Sequence, residues 1–217
     1  MRQSWETYYK NRNEGTPRDS LVRAVEKYFQ GDNQGKIAWD LGAGVLDDSK
    51  YLLDKGFSVV AVDSSEAVRG YAPKVSEYTD FELKIETIQS FVLLTSEKDN
   101  KPDLVSAQLS LPFITNDLFV FTMEHILDTL KTEGIFTGQL FGKKDDWNTL
   151  YHREDMNFHT KEGVTAFFTK YISRNSETLE ILLLNEEEKD AVTVEGEPKH
   201  WDIIDFTVKK VKKTNLK

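Results

Sequence analysis

Two short features of this 217-residue chain carry its most specific chemistry. Asp40-Leu41-Gly42-Ala43-Gly44 closes an apolar run that begins at Lys36, and Asp63 closes a second, β-branched run that begins at Phe57. Glycine lets the backbone turn sharply and approach a ligand closely, while a carboxylate at the end of the neighbouring strand can accept both hydroxyls of a ribose. Asp63 stands 21 residues beyond Gly42. The pair therefore reads as a nucleoside site.

The residues that follow the turn argue against a dinucleotide. A dinucleotide-binding turn wants a third glycine at position 47 and seats a diphosphate on the next helix N-terminus. Asp47 and Asp48 occupy that place. Two unit charges about 4 Å apart interact by about 4 kcal/mol at an effective dielectric of about 20, so these carboxylates would repel a diphosphate. A cationic ligand without phosphate reverses the sign. Structural readings stand beside the functional ones: Asp48 suits the positive end of a helix, and Asp63 precedes Ser64 and Ser65, one of which would cap the next helix.

Positioning these residues requires alternating strands and helices. Leu21, Val22, Val25, Tyr28 and Phe29 recur at helical spacing from Asp19 onward, until Gly31, Asp32 and Asn33 stop the run. A strand at Lys36–Leu41, a helix at Asp48–Lys55 and a strand at Phe57–Val62 form a βαβ unit. A helix near Ser65–Tyr78 containing Pro73 follows, then strands near Glu82–Ile88 and Asp103–Leu109. Next come a helix at Asn116–Leu130, a strand at Ile135–Phe141 and a helix at Lys161–Tyr171. Such alternation predicts a mostly parallel sheet with helices on both faces. Two closing strands, Thr178–Leu184 and Lys199–Val208, are expected to pair antiparallel, with the hydrophilic stretch Asn185–Pro198 between them.

The glycine turn, the acid after the second strand, the Leu130-Lys131-Thr132-Glu133-Gly134 turn, the order of elements and the closing pair together resemble class I S-adenosylmethionine-dependent methyltransferases. The resemblance covers nearly the whole chain, and Phe141-Gly142-Lys143-Lys144-Asp145-Asp146-Trp147, Phe158-His159-Thr160 and Lys199-His200-Trp201 resemble signature pieces of small bacterial methyltransferases, including those of tellurite resistance. It implies an α/β three-layer sandwich, with a mostly parallel, seven-stranded Rossmann-like sheet and an antiparallel final strand. Residues 1–217 would form one domain, with 1–34 as an N-terminal helical lid segment. S-adenosylmethionine would be the methyl donor and S-adenosylhomocysteine the product, with Asp40, Gly42, Ala43, Gly44, Asp63 and Ser64 around the ligand. The family's usual third glycine falls at Leu46, a departure at the helix entry. Adenine would lie over the loop after strand three, where the family has an acid and Gln89 or Ser90 would have to serve here. Gln108 and Ser110, after strand four, would face the methionine portion and the acceptor. In the N-terminal segment Trp5, Tyr8, Tyr9 and Arg18 resemble the family's lid, with Tyr8 covering the ligand and Arg18 gripping its carboxylate through the guanidinium fork. Trp5 and Tyr9 also suit plain packing of the first helix.

Ligands in open α/β sheets bind at loops on the strands' carboxyl ends. After strand five these loops bring Asp145 and Trp147, and later His159, to an expected acceptor rim, with His159 the candidate general base. His200 lies in a strand and reads as structural. His152 with Glu154 and Asp155 reads as a charged loop rather than a metal site. The absence of cysteine excludes thiolate metal sites and cysteine nucleophiles. Thirty-seven acids against 28 bases give a formal charge of -9, which disfavours nucleic acid and anionic membranes as partners. No run approaches the length of a membrane span. The expectation is a soluble, cytoplasmic enzyme with a small-molecule acceptor. A non-catalytic binding or regulatory protein retaining the same fold is the alternative.

Overall fold

The computed structural model describes residues 5–12, 15–95, 101–171 and 177–213. Seven strands form one sheet: β1 (Ile37–Leu41), β2 (Ser58–Asp63), β3 (Phe81–Ile85), β4 (Leu104–Ala107), β5 (Ile135–Phe141), β6 (Glu177–Val192) and β7 (Pro198–Lys212). Their spatial order is β3-β2-β1-β4-β5-β7-β6. Strands β1 to β5 pair in parallel, and β7 runs antiparallel to both β5 and β6. The helices are α1 (Trp5–Asn11), α2 (Asp19–Tyr28), α3 (Asp47–Asp54), α4 (Ile88–Thr95), α5 (Asn116–Thr129), α6 (Asp146–Thr149) and α7 (Lys161–Lys170). The expected three-layer α/β architecture is the one observed.

Alternation along the strands divides the core into two layers. In β1, Trp39 and Leu41 face a cluster with Phe91 of α4, Met123 and Leu127 of α5, and Phe168 of α7, whereas Ala38 faces Leu21 and Val25 of α2 and Leu52 of α3. Helix α2, placed by the sequence in a lid segment, is thus a core helix with Leu21 and Val25 buried. Tyr9 of α1, and Arg12 directly after that helix, lie beside Gly44 of the glycine turn.

Three elements differ from expectation for identifiable reasons. The segment after β2 is a 3₁₀ helix, Glu66–Val75, rather than an α-helix, and it contains Pro73, which has no N–H to donate. Helix α4 stands where the sequence suggested a strand ending at Ile88 and no helix before the next strand; Ile88 is buried in the helix as it would be in a strand. Strands β6 and β7 run far beyond the expected pair and leave only residues 193–197 as the connection. The outer part of β6 is an exposed sheet edge, where Glu186 to Asp190 need no apolar alternation; charged residues are usual at such edges.

The middle of the sheet is close-packed at Gly138 of β5. A Cβ there would come within 2.8 Å of the Ala107 carbonyl oxygen and of the Phe206 ring. Gly138→Ala is expected to lower stability by about 1–3 kcal/mol through overpacking. Denaturant unfolding of wild type and variant measures the difference, and equal midpoints would contradict this packing.

Candidate functional site

The order of strands reverses between β1 and β4, so the chain leaving their carboxyl ends runs to opposite sides, and open α/β sheets bind ligands in the crevice at such a point. The glycine turn enters it directly from β1. Gly42 and Ala43 donate their N–H groups to the Val62 carbonyl, which ties the turn to the end of β2. Gly42 has φ +82°, and a Cβ there would lie 2.3 Å from the Ser110 Cβ on the loop after β4. Ser110 in turn donates its hydroxyl to the Leu41 carbonyl at 2.6 Å. Glycine is therefore required at position 42 twice over, by conformation and by space. Leu46, at the third glycine position of the resemblance, holds the left-handed conformation (φ 63°, ψ 20°) and caps α3. The sharp helix entry is present, made by a leucine.

Asp63 is the best-supported carboxylate of the crevice. It is 5% exposed and accepts hydrogen bonds from the Gly44 N–H (2.8 Å), the Ser65 N–H (2.8 Å) and the Tyr9 hydroxyl (2.9 and 3.0 Å to its two oxygens). Ser65 caps the 3₁₀ helix by accepting from the Ala67 N–H, so capping and carboxylate support come from one residue. Ser64 is exposed beside it. Burial first, then the charge of Asp63, raises the pKa of Tyr9 and keeps its phenol protonated and donating.

Asp40, Asp47 and Asp48 are also buried. Asp40 accepts from the Ser49 hydroxyl at 2.5 Å; burial, followed by the negative charge of Asp48, pushes its pKa up to about 8. Burial likewise raises Asp48, opposed by the Arg18 N–H that donates to it at 2.7 Å. Asp47 accepts from the Gly15 N–H and pairs with Lys74 at 2.8 Å. Beyond complementing the helix dipole, the two acids fasten the chain between α1 and α2. Arg18 is brought to this cluster, and its buried Nε has no hydrogen-bond partner among the described residues.

Of the two residues expected after β4, Gln108 is tied on both sides, accepting from the Ser20 hydroxyl of α2 at 2.6 Å and donating to the Ser106 hydroxyl. Leu109 between them adopts φ 56°, a second left-handed non-glycine residue beside the crevice. Phe113 follows and packs edge-on against Trp5 of α1, ring centroids 4.7 Å apart, and against Trp147. The N-terminal aromatics and the expected acceptor rim are thus continuous through Phe113. Tyr8 lies on the outside of this group, against Trp5 and Tyr9. Tyr9 is the tyrosine that enters.

Three further expectations are corrected by position. Asp145 is no rim residue: it is fully buried, bonded to the Lys199 ammonium at 2.5 Å, and caps α6 by accepting from the Trp147 N–H. Lys199 is enclosed by Trp201, Trp147 and Phe141, and desolvation lowers its pKa. Gln89 and Ser90 are not on the loop after β3 but in the first turn of α4, where Ser90 Oγ accepts from the Thr87 hydroxyl. Because β3 ends at Ile85, that loop starts with an acid the sequence reading passed over: Glu86, half-buried, whose N–H donates to the Asp63 carbonyl. His159 packs on Phe119 and lies 2.5 Å from the Asn157 side-chain oxygen, while burial, with Lys143, lowers its pKa to about 4. It is neutral at pH 7 and a poor proton acceptor.

No family model and no curated protein sequence matches the chain. Solved structures do. TehB from Haemophilus influenzae superposes with a TM-score of 0.71 at 14% identity, covering 97% of this chain and 68% of that one. A methyltransferase from Methanosarcina mazei gives 0.62 at 18% identity, over 87% and 97% of the two chains. The 1,6-didemethyltoxoflavin-N1-methyltransferase of Burkholderia thailandensis, solved with its acceptor and S-adenosylhomocysteine, gives 0.55 at 16% identity, over 89% and 79%. This is the fold of the S-adenosylmethionine-dependent methyltransferases. At 14–18% identity the likeness is one of fold.

The raised pKa of Asp40 has a stability consequence with a definite sign. The native protein keeps this proton up to about pH 8, whereas an unfolded aspartate releases it near about 4. In that window the native state binds the extra proton, so stability falls as pH rises through it. Asp40→Asn should flatten that fall and be relatively more stable at pH 8 than at pH 5. Denaturant titrations of both proteins at the two pH values check this; parallel pH profiles would contradict it.

Proposed function

We propose that this protein is an S-adenosylmethionine-dependent methyltransferase acting on a small-molecule acceptor. The observation that carries the reading is Asp63: a buried carboxylate at the end of β2, held by two backbone N–H groups and already accepting hydrogen bonds from a hydroxyl. That is the hydrogen-bonding requirement of a ribose diol. The left-handed Gly42, which a side chain would drive into Ser110, supports close approach of backbone and ligand. Asp47 at the start of α3, where a dinucleotide-binding turn would carry its third glycine, weighs against a diphosphate and in favour of a ligand with sulfonium and ammonium charges. The buried Arg18 Nε, without a hydrogen-bond partner among the described residues, suits the ligand's carboxylate. Glu86 follows β3 as the acid for the adenine amine, in place of Gln89 and Ser90.

S-adenosylmethionine, when bound, supplies the electrophilic methyl group. This chain's contribution is orientation and exclusion of water. Phe113 and Trp147 form an apolar wall beside the crevice that suits an aromatic or apolar portion of the acceptor. Asp145 acts on that wall at one remove, by capping the turn that carries Trp147. With His159 neutral and bonded to Asn157, the reading assigns no protein base and relies on an acceptor atom that is already nucleophilic.

Calorimetric titration with S-adenosylhomocysteine tests the reading. Wild type is expected to bind, and Asp63→Ala to bind at least about tenfold more weakly, since each charge-assisted hydrogen bond is worth about 1.5–3 kcal/mol. Undiminished affinity in a folded Asp63→Ala protein, or no binding by wild type, would overturn it. Arg18→Ala separates the two ends of the ligand. It is expected to weaken S-adenosylhomocysteine and to leave adenosine, which lacks the carboxylate, unchanged; equal effects on both would remove Arg18 from the site.

A further inference from the structure

Helix α1 presents Trp5 and Tyr9 on one face, and Tyr9 and Arg12, the residue directly after the helix, lie against the glycine turn. A Cβ at Gly44 would meet Tyr9 Cε1 at 3.4 Å and Arg12 Nη1 at 3.8 Å. The Tyr9 phenol donates to both oxygens of Asp63, and the positive charge of Arg12 acts on Asp40 and Asp48, favouring their ionised forms. Trp5 leans on Phe113 to one side and Tyr9 on Tyr71 to the other, so α1 bridges the crevice between the β2 and β4 loops. Those are the groups a nucleoside with a cationic tail would use: a hydroxyl on Asp63 and a positive charge among the neighbouring acids.

We propose that α1 is an internal occupant of the nucleoside crevice, with Tyr9 standing in for a ribose hydroxyl and Arg12 for the ligand's cationic end, so that ligand enters by displacing α1. The inference rests on the functional reading above and adds a mode of control to it. The exchange conserves the crevice's requirements, because a hydroxyl donor replaces a hydroxyl donor and a cation replaces a cation. Neither Asp63 nor the other acids need be left buried without partners while the site is unliganded, which would be costly. The occupant is also easily released. Seven residues are too few for a helix stable by itself, so α1 persists through its docking contacts. The chain behind it stays anchored, since Gly15 and Arg18 donate backbone N–H groups to Asp47 and Asp48. Apparent ligand affinity then equals the intrinsic affinity multiplied by the fraction of molecules with α1 undocked.

Full-length wild type, Tyr9→Phe, Arg12→Gln and the double variant, each titrated with S-adenosylhomocysteine and with adenosine, test this. Tyr9→Phe keeps the ring and its packing but removes the hydrogen bonds to Asp63. It is expected to bind both ligands at least about threefold more tightly than wild type, and the double variant to bind S-adenosylhomocysteine about tenfold more tightly. Equal or weaker binding by Tyr9→Phe and the double variant, with wild type binding well, would overturn the proposal and leave the functional reading standing; α1 would then be a lid that holds ligand. Failure of all four proteins to bind either ligand would overturn both.

Discussion

A carboxylate buried at the end of a strand has to be held by donors, and Asp63 shows how much of the chain is committed to holding one. Its Gly44 donor exists because the turn after β1 folds back through left-handed glycines, and its Ser65 donor because the chain turns into a 3₁₀ helix directly after β2. The parallel register that sets Leu41 beside Val62 brings the two loops together. Two of the donors are backbone groups fixed by secondary structure. The third, the Tyr9 phenol, comes from a seven-residue helix too short to be stable without its docking contacts. The rigid donors define the site, and the loose one is the part a ligand can replace.

Leu46 illustrates how the sequence departs from a familiar pattern without abandoning its geometry. A left-handed leucine costs roughly 1–2 kcal/mol in backbone strain. Full burial of a leucine side chain returns about 1.5–3 kcal/mol. Leu46 is fully buried against the α3 layer, so the burial covers the strain, and the helix entry that a glycine usually makes is kept. From sequence the residue looked like a defect in the motif. In the structure it occupies the same conformation and joins the core.

The features legible in the sequence were those written in local patterns. Apolar runs ending in Asp40-Leu41-Gly42 and in Asp63 placed β1, β2 and the turn, and the helical spacing from Leu21 and from Asn116 placed α2 and α5. What escaped depended on tertiary contacts. Ile88 reads equally well as strand or as buried helix, and choosing strand hid Glu86 behind a boundary three residues too late. Tyr8 and Tyr9 differ only in which way α1 is rolled; the four-residue spacing of Trp5 and Tyr9 along one helical face was the available signal. Asp145 and Lys199, 54 positions apart, gave no sign of their buried pairing. The charged outer half of β6 carries no alternation, because an exposed sheet edge does not demand one.

The proposed function requires the glycine turn and Asp63 to form the ribose end of an S-adenosylmethionine site. A crystal structure of the full chain with S-adenosylhomocysteine tests it most directly. The account predicts both ribose hydroxyls within hydrogen-bonding distance of the Asp63 carboxylate, roughly 2.5–3.0 Å, with Gly44 and Ser65 still donating to it from behind. Ligand bound elsewhere, or bound in the crevice with its ribose turned away from Asp63, would contradict it.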